Sequence, residues 1–463
     1  MRGRAGGLTR SSWEASVMGV ERRGWVIRGC CLFDQPGLGP GRSRVDELKS
    51  LGKPFDISKR AVWEAYQKVK ANKGAPGVDE VSIEEFEKDL KNNLFKIWNR
   101  MSSGSYFPPP VRAVDIAKPH GSGTRTLGVP TVGDRIAQTV VAAELERKVE
   151  LIFHPGSYGY RPNRSALDAV ATCRKRCWKT DWVIDLDIQK FFDSVPWELM
   201  IKAVEANTDL PWVVLYVRRW LHAPLQLPEG TLRQRDRGTP QGSAVSPVLA
   251  NLFLHYAFDA WMAREFPEVC FERYVDDVVV HCVSKRQAHR VLAAIAKRMA
   301  QVGLTLHPDK TRIVYCHDGR RRGSHEHTAF TFLGYTFRAR GARNKNGKMF
   351  LSFLPAISKE ALRKISAQVR SWRLHHRTGR SFADLARQIN PIVRGWMNYY
   401  GAFYKSALYC LLTRINAYLL RWVRNKYRRL QGHKKAQKAW IGIIQRYPRF
   451  FAHWAWINMP PTA

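Results

Sequence analysis

Three aspartates in two apolar segments are the residues of this 463-residue chain best suited to chemistry. Asp276 and Asp277 divide the apolar segment CFERYVDDVVVHC, which predicts two strands joined by a turn. Adjacent carboxylates at such a turn repel each other, so a role beyond structure has to be considered. Asp187 ends the apolar run of WVIDLD, and in an α+β sheet its strand can lie beside the other two.

Converging carboxylates in a strongly basic chain indicate a divalent metal site. Mg²⁺ prefers hard oxygen ligands, usually a few carboxylates, waters and substrate phosphates. Two such ions about 4 Å apart stabilise the attacking and leaving oxygens of an in-line phosphoryl displacement. We therefore expect nucleotidyl transfer assisted by two Mg²⁺ ions. For the Asp276-Asp277 pair taken alone, an exposed acidic turn remains the alternative.

The charge of the chain points to a polyanionic partner. There are 76 Lys and Arg residues against 39 Asp and Glu, which leaves a net charge of +37. Because 45% of the residues are hydrophobic, this charge is expected on a folded surface and not in a disordered tail. Nucleic acid is the strongest candidate and an anionic membrane surface the weaker one. No apolar run approaches the roughly 18 residues of a membrane span, so we expect a cytoplasmic protein.

The elements that must position the aspartates follow from periodicity. Residues 1–57 are predicted to be a flexible basic leader or an overlong start. Helices are predicted from Ser58 and from Ser82, and short strands alternate with helices from Val111 onward. Beyond Pro355 the period is helical almost to the end, which predicts an α+β protein with an all-α C-terminal part.

The eight cysteines fall in no paired CxxC frame, so neither a disulfide scaffold nor a zinc module is indicated. We expect most of them to be buried thiols. One further cluster has metal-ligating residue types, and we expect no zinc there because an Arg-rich loop separates its members: Cys316, His317, His325 and His327.

Seven blocks in a fixed order carry a family resemblance. They are NKGAPGVD (72–79), SYGYRPNRSALDAV (157–170), DLDIQKFFD (185–193), RGTPQGSAVSPVLANLFL (237–254), YVDD (274–277), GLTLHPDKT (303–311) and FTFLGYTF (330–337). Their order, from about Ser58 to Trp456, resembles that of the reverse transcriptase/maturase encoded by group II introns. The valine at position 275, where alanine is commoner in the family, is a mild departure.

The resemblance implies a right-hand polymerase, with fingers and a palm built on an antiparallel sheet, followed by an all-α basic thumb/maturase domain. It assigns residues 58–180 to an N-terminal extension and fingers and residues 181–355 to the palm. Residues 356–463 are assigned to the thumb/maturase (X) domain and a basic C-terminal region that binds nucleic acid.

The resemblance also implies catalytic roles. Asp187, Asp276 and Asp277 would bind the two Mg²⁺ ions, whereas the neighbouring Asp185 and Asp193 look structural. Lys310, in HPDKT, matches a lysine proposed to protonate the departing pyrophosphate.

Four further residues are implied to bind the incoming nucleotide. Lys118 and Arg125 flank the predicted fingers hairpin, where two cations can hold a triphosphate. Phe192 occupies the place of the bulky gate that excludes a ribose 2′-OH. Gln241, in TPQGS, is placed at the nucleotide pocket, beside a glycine that permits close backbone approach.

The segment INPIVRGWMNYYGAFY (389–404) resembles the maturase signature and interleaves aromatic with basic residues. Aromatic rings can stack on unpaired bases while cations contact phosphates, although about half of these rings are expected to be helix-packing core. From Lys359 to Arg449 there are 21 basic residues against only Glu360 and Asp384. The predicted RNA contacts are Arg394, Trp396, Tyr399, Tyr400, Arg421, Arg424, Lys426, Arg428, Arg429, Lys434 and Lys435.

The function implied is that of an RNA-directed DNA polymerase and maturase with group II intron RNA, a DNA target and primer, and dNTPs as partners. Because no CxxC-bearing HNH segment follows Arg449, the chain resembles the subclass without an endonuclease. Two alternatives stay open: a stand-alone or CRISPR-associated defence reverse transcriptase, and an RNA-binding protein that acts only in splicing. No oligomeric state is predicted.

Overall fold

The computed structural model describes residues 53–117, 124–321, 323–344 and 346–457. This part of the chain is α+β, as predicted, with helices throughout and short sheets between them. It divides into two compact units. Of the described residues, the first unit contains those up to Ala166 together with Asp187–Val278 and Val291–Pro308. The second contains Leu167–Leu186, Val279–Arg290 and the described residues from Asp309 onward. The predicted domain borders at 180 and 355 remain a prediction.

The helices begin close to the predicted positions. In chain order they are α1 (Lys59–Asn72), α2 (Ile83–Glu87), α3 (Leu90–Ser102), α4 (Val132–Val149), α5 (Ala166–Cys177), α6 (Phe191–Ser194), α7 (Trp197–Glu205), α8 (Pro211–His222), α9 (Ser246–Leu254), α10 (Ala260–Glu265), α11 (Lys285–Gln301), α12 (Lys359–Ser371), α13 (Phe382–Tyr400), α14 (Tyr409–Lys426), α15 (His433–Arg446) and α16 (Trp454–Ile457). The Ser58 hydroxyl accepts a hydrogen bond from the Ala61 amide and so caps α1. Ser82 and Glu85 form the reciprocal capping box at the start of α2.

The strands are short, and two of their pairings were predicted as hairpins. They are β1 (Val111–Ala117), β2 (Thr124–Val129), β3 (Trp182–Asp187), β4 (Leu225–Gln226), β5 (Leu232–Arg233), β6 (Phe271–Tyr274), β7 (Asp277–Cys282), β8 (Arg312–Tyr315), β9 (Phe330–Phe332), β10 (Tyr335–Arg343) and β11 (Met349–Ile357). The sheet orders are β2-β1-β4-β5, β6-β7-β3-β8 and β11-β10-β9. β1 and β2 pair antiparallel, and the turn between them lies outside the described residues.

One helical segment is irregular in its interior. A wider π-helical stretch, His255–Asp259, separates α9 from α10. Such a stretch inserts one residue into the helix and shifts which side chains face inward. Asp259, at its end, is fully buried, and it contacts the site described below.

The C-terminal helices of the second unit share one hydrophobic core. Ile365, Leu385, Leu412 and Trp422 are among its buried members, at the helical spacing that the sequence shows. Because this core occupies the inner faces of helices α12 to α15, most of the basic residues of these helices lie on the outer faces. Among the described residues, no helix is long and apolar enough to cross a membrane.

Candidate active site

The predicted two-aspartate turn joins β6 to β7, both of which are buried over most of their length. Asp276 is half-buried, and Asp277, the first residue of β7, is exposed. Val275 precedes them with φ at +61° and its side chain buried. A β-branched residue is strained in this left-handed region, so surrounding contacts must hold the turn in place.

Arg273 holds the turn from inside the protein. Its side chain is fully buried and forms an ion pair with Asp259, from Nε to Oδ1 at 2.7 Å and from Nη2 to Oδ2 at 2.6 Å. Nη1 donates to the carbonyl of Val275 at 3.2 Å and to Oδ1 of Asn251 at 3.0 Å, and Nη2 also donates to Oγ of Ser157 at 2.8 Å. Five bonds therefore fix one guanidinium, and one of them reaches the strained residue.

The SYGYRPN block packs directly against this turn. The amide of Tyr158 donates to the carbonyl of Arg273 at 2.8 Å, and the Arg273 amide donates to the carbonyl of Gly156 at 2.8 Å. A Cβ at Gly159 would lie 2.8 Å from the backbone nitrogen of Val275, closer than real Cβ contacts allow. Asn251 donates to the Gly159 carbonyl at 2.6 Å. Glycine is therefore required at 159 because two backbone segments meet there.

The strand contacts bring Asp187 to the same end of the sheet. β3 and β7 are neighbours, and Thr180, just before β3, has its Oγ1 3.4 Å from Nδ1 of His281, near the end of β7. The two strands therefore run antiparallel, which places Asp187, the last residue of β3, at the same end of the sheet as Asp277, the first residue of β7. The Asp187 carbonyl accepts a hydrogen bond from the His307 amide at 2.8 Å.

The chemistry of the three aspartates suits a hard divalent cation. Their carboxylates lie at the same end of two adjacent strands, and their side chains are half-buried or exposed, so a hydrated ion can reach them. Burial raises the pKa of the neighbouring Tyr274 phenol, and the Asp277 carboxylate raises it further. Tyr274 therefore stays neutral at physiological pH, and the carboxylates are the anionic ligands at this turn.

The loop that carries Gln241 is held against β2. The Gly128 amide donates to the Gln241 carbonyl at 2.7 Å, and the Arg125 guanidinium donates to the Gln241 side-chain oxygen. Gly242 has φ at +115°, and a Cβ there would lie 2.5 Å from the Gly128 carbonyl oxygen. Two of the residues predicted to bind nucleotide, Arg125 and Gln241, are therefore in contact.

The same loop also contacts the predicted gate. The Thr239 amide donates to the carbonyl of Phe192 at 2.7 Å, and a Cβ at Gly238 would lie 2.6 Å from that carbonyl oxygen. The half-buried Phe192 ring lies against the buried Phe191, with ring centroids 5.3 Å apart. Thus the RGTPQG segment contacts both Phe192 and Arg125.

A buried network behind this loop was not predicted. The Asp134 carboxylate accepts hydrogen bonds from Tyr106 and Trp220 on Oδ1, at 2.9 and 2.7 Å, and from Gln138 on Oδ2 at 2.8 Å. The other end of the Gln138 amide accepts from the Ser243 hydroxyl at 2.6 Å and the Ala244 amide nitrogen at 2.7 Å. Burial raises the pKa of Asp134 to about 6, and the hydrogen bonds from Trp220, Tyr106 and Gln138 oppose that rise.

Two predicted site residues, Lys118 and Lys310, stay predictions. Lys118 lies outside the described residues. Lys310 is exposed and belongs to the second unit, so its role in protonating pyrophosphate stays a prediction.

The predicted RNA contacts lie on the helices of the second unit. Six of them are exposed cations: Arg394, Arg421, Arg428, Arg429, Lys434 and Lys435. The other two cations also bind the protein backbone. Arg424 donates to the Gln431 carbonyl at 2.9 Å, and Lys426 donates to the carbonyls of Thr378 and Arg380 at 3.0 and 2.6 Å.

The predicted aromatic contacts mostly face inward. Trp396 is 4% exposed and stacks on Trp372 with centroids 5.5 Å apart and planes 9° apart. A base has no free ring face there, so Trp396 has no place among the RNA contacts. Tyr399 donates to the Leu333 carbonyl at 2.8 Å, and Tyr400 packs on Tyr335 with centroids 5.9 Å apart. Both tyrosines help to anchor the FLGY turn between β9 and β10.

Sequence reasoning missed Arg273, Asp259, Asn251 and Gln138 as residues that support the site. Their partners lie up to 116 residues away, so spacing alone does not pair them. One signal was present: Glu272 and Arg273 place two charges inside an otherwise apolar strand, and buried charges need partners.

Comparisons with known proteins match two regions of the chain. The reverse transcriptase (RNA-dependent DNA polymerase) family matches residues 116–337, and the group II intron, maturase-specific domain matches residues 362–440. Protein YkfC of Escherichia coli K12 is 28% identical over 340 residues, which cover 65% of this chain and 84% of that protein.

Two intron proteins are also similar. Group II intron-encoded protein LtrA of Lactococcus lactis subsp. cremoris is 30% identical over 280 residues, covering 59% of this chain and 46% of LtrA. A 91 kDa protein in the cob intron of Schizosaccharomyces pombe is 32% identical over 212 residues, covering 45% of this chain and 25% of that protein. The chain thus spans less than half of the length of these two relatives. With both matches in order, the chain contains a reverse transcriptase region followed by a group II intron maturase-specific region.

Proposed function

We propose that the chain is an RNA-directed DNA polymerase and maturase that binds its group II intron RNA, assists its splicing and copies it into DNA during retrohoming. The observation that supports the polymerase part is that Asp187 and the Asp276-Asp277 turn lie at the same end of one sheet. The contact between Arg125 and Gln241 supports it further. We further propose that its domains have the right-hand arrangement of fingers, palm and thumb. The protein would act in the cytoplasm, and at nucleoid DNA when it copies its RNA into a target.

The three aspartates would hold two Mg²⁺ ions, which when bound supply charge neutralisation for in-line nucleotidyl transfer. The chain itself contributes the fixed turn, the Arg125 cation for the triphosphate and the Phe192 ring against the sugar. Because Arg273 and Gly159 hold the turn in a strained conformation, the carboxylates are positioned before substrate arrives.

The polymerase part is tested by Mg²⁺-dependent dNTP incorporation on an RNA template with an annealed DNA primer. The Asp276→Ala/Asp277→Ala variant should lose incorporation, whereas Asp193→Asn, which removes a nearby exposed carboxylate, should keep it. If the wild type incorporates no dNTP while it still stimulates splicing, the protein acts only in splicing.

The maturase part is supported by the six exposed cations on α13 to α15 and the segments between them, a polyanion-binding surface within the second unit. The test measures the splicing rate of the intron RNA that flanks the coding sequence, at a salt concentration where the RNA alone splices slowly. We expect the protein to increase this rate. Absence of any intron near the gene, together with no stimulation, would favour a stand-alone or CRISPR-associated defence enzyme.

A further inference from the structure

The hairpin of β10 and β11, within the second unit, is buried at one end and exposed at the other. Phe337 and Phe353 near its base are fully buried. Near its tip, the consecutive residues Met349, Phe350 and Leu351 are 60%, 48% and 39% exposed. Consecutive strand residues point to opposite faces, so the tip presents apolar side chains to solvent on both faces. An exposed apolar cluster of this kind indicates an interaction surface.

The charge around this tip favours a polyanion as the partner. From Thr328 to Ile357 the sequence contains five Lys and Arg residues and no Asp or Glu. Arg338, Arg343 and Lys348 are exposed. An apolar protein partner would not require this uniform charge, whereas nucleic acid combines phosphates with bases that stack on aromatic rings.

The register of the strands separates the tip into two faces. Ala342 pairs with Phe350, and Arg343 pairs with Met349. By alternation, one face carries Lys348 and Phe350, and Arg338 lies farther along it. We call this the phenylalanine face. The opposite face carries Arg343, Met349 and Leu351, and we call it the leucine face.

Contacts at the middle of the hairpin fix its conformation. The Tyr404 hydroxyl donates to the Gly341 carbonyl at 3.1 Å, and the Arg340 guanidinium lies 5.4 Å from the centre of the Tyr404 ring. Arg340 also donates to the carbonyls of Leu354 and Thr336, each at 3.2 Å. Arg340 is therefore engaged within the protein, and the hairpin is presented as a preformed element.

We propose that the phenylalanine face binds unpaired nucleotides of RNA, with Phe350 stacking on a base and Lys348 and Arg338 contacting phosphates. Lys348 and Phe350 are two strand residues apart, about 6.6 Å, so one nucleotide can contact both. The small Ala342 opposite Phe350 leaves the ring accessible. This inference rests on the proposed function and adds an RNA contact outside the C-terminal helices.

The test compares the two faces in the full-length protein. Affinity is measured by fluorescence anisotropy with a labelled 12-nucleotide single-stranded RNA that contains one 2-aminopurine, whose fluorescence reports stacking. Phe350→Ala should weaken binding about five-fold or more and abolish the 2-aminopurine quenching, because base stacking on a ring contributes at least this much. Phe350→Tyr should restore both signals.

The matched controls lie on the leucine face. Leu351→Ala removes an equally apolar side chain and Arg343→Ala an equally exposed cation, so neither should change the stacking signal. Lys348→Ala should reduce the salt dependence of binding more than Arg343→Ala does. Equal binding by Phe350→Ala and wild type, or equal losses from Phe350→Ala and Leu351→Ala, would overturn the proposal.

Two further measurements separate this inference from other outcomes. RNA-templated dNTP incorporation is recorded in the same preparations, because its absence in the wild type would count against the polymerase assignment and leave the comparison of faces intact. Sedimentation is recorded across a concentration range. A dimer that Phe350→Ala converts to a monomer would make the tip a protein contact and overturn the proposal.

Discussion

At the scale of single residues, Phe192 carries the clearest prediction. Its ring is half-buried and its carbonyl is bonded to Thr239, so truncating the ring should open space without releasing the loop. Phe192→Ala should therefore accept ribonucleotides, while Phe192→Tyr, which keeps the bulk, should still reject them. Primer extension with NTPs in place of dNTPs measures this. An alanine variant that refuses NTPs while it extends with dNTPs contradicts the gate assignment.

The buried Asp134 should make the stability of the folded protein depend on pH. Its pKa is raised from the usual 3.8 to about 6 in the folded protein by burial. The folded state therefore holds a proton that the unfolded chain releases, and this contribution is complete below about pH 4 and lost as the pH rises to about 6. The loss amounts to about 3 kcal/mol.

The Asp134→Asn variant has no carboxyl group that titrates at this position. As the pH rises from 4 to 7, the free energy of unfolding of the wild type should therefore fall relative to that of the variant. Denaturant unfolding at several pH values measures it, with Asp209→Asn, at an exposed carboxylate, as the control. A difference that stays constant over this range contradicts the prediction.

At the scale of elements, the turn between β6 and β7 depends on the Arg273 and Asp259 pair. Removing one partner leaves a buried charge uncompensated, so Arg273→Ala should cost about 3–5 kcal/mol of stability. Replacing both, in Arg273→Met/Asp259→Leu, should recover much of that stability because no buried charge remains. Incorporation of dNTPs should nevertheless stay low, because the Val275 carbonyl no longer has this donor.

Thermal unfolding and the kcat for dNTP incorporation, measured together, separate the two effects. Recovery of both stability and kcat in the double variant would show that Arg273 only supports folding. Persistent loss of kcat with restored stability is the expected result.

The elements themselves were largely predictable, and their contacts were not. The apolar runs on both sides of Asp276 predicted β6 and β7, and the helical patterns from Ser58 and Ser82 predicted α1 and α2, because burial imposes its period on the sequence. Arg273 could not be paired with Asp259, since a π-helical stretch alters the register of that helix. The inward-facing Trp396 was indistinguishable from a base-stacking ring because aromatic residues serve both purposes.

At the scale of the whole molecule, the net charge of +37 is expected to serve two separable purposes. Charge reversal at Arg429, Lys434 and Lys435 should weaken intron RNA binding and splicing. It should also reduce the salt dependence of binding, by about one in log-log slope for each phosphate that is no longer neutralised. Reversal of three exposed cations on α11, Arg286, Arg290 and Lys297, is the matched control. Equal losses from both triple variants would show that only total charge matters.

The Arg125→Ala substitution should impair the use of dNTPs and leave RNA binding unchanged, the opposite of the charge reversal at Arg429, Lys434 and Lys435. It removes a cation next to Gln241, so the KM for dNTPs should rise while affinity for intron RNA is kept. Filter binding of the RNA and steady-state incorporation measure the two properties on one preparation. A parallel loss of both would contradict the division.

Affinity cleavage tests directly whether Asp187, Asp276 and Asp277 form one divalent metal site. Fe²⁺ bound in place of Mg²⁺, with ascorbate and peroxide, generates radicals that cut the backbone within a few ångströms of the ion. We expect cuts near residue 187 and near residues 276–277, which excess Mg²⁺ suppresses and which are lost together in Asp276→Asn. Cuts confined to one of these segments, or unaffected by that substitution, would contradict it.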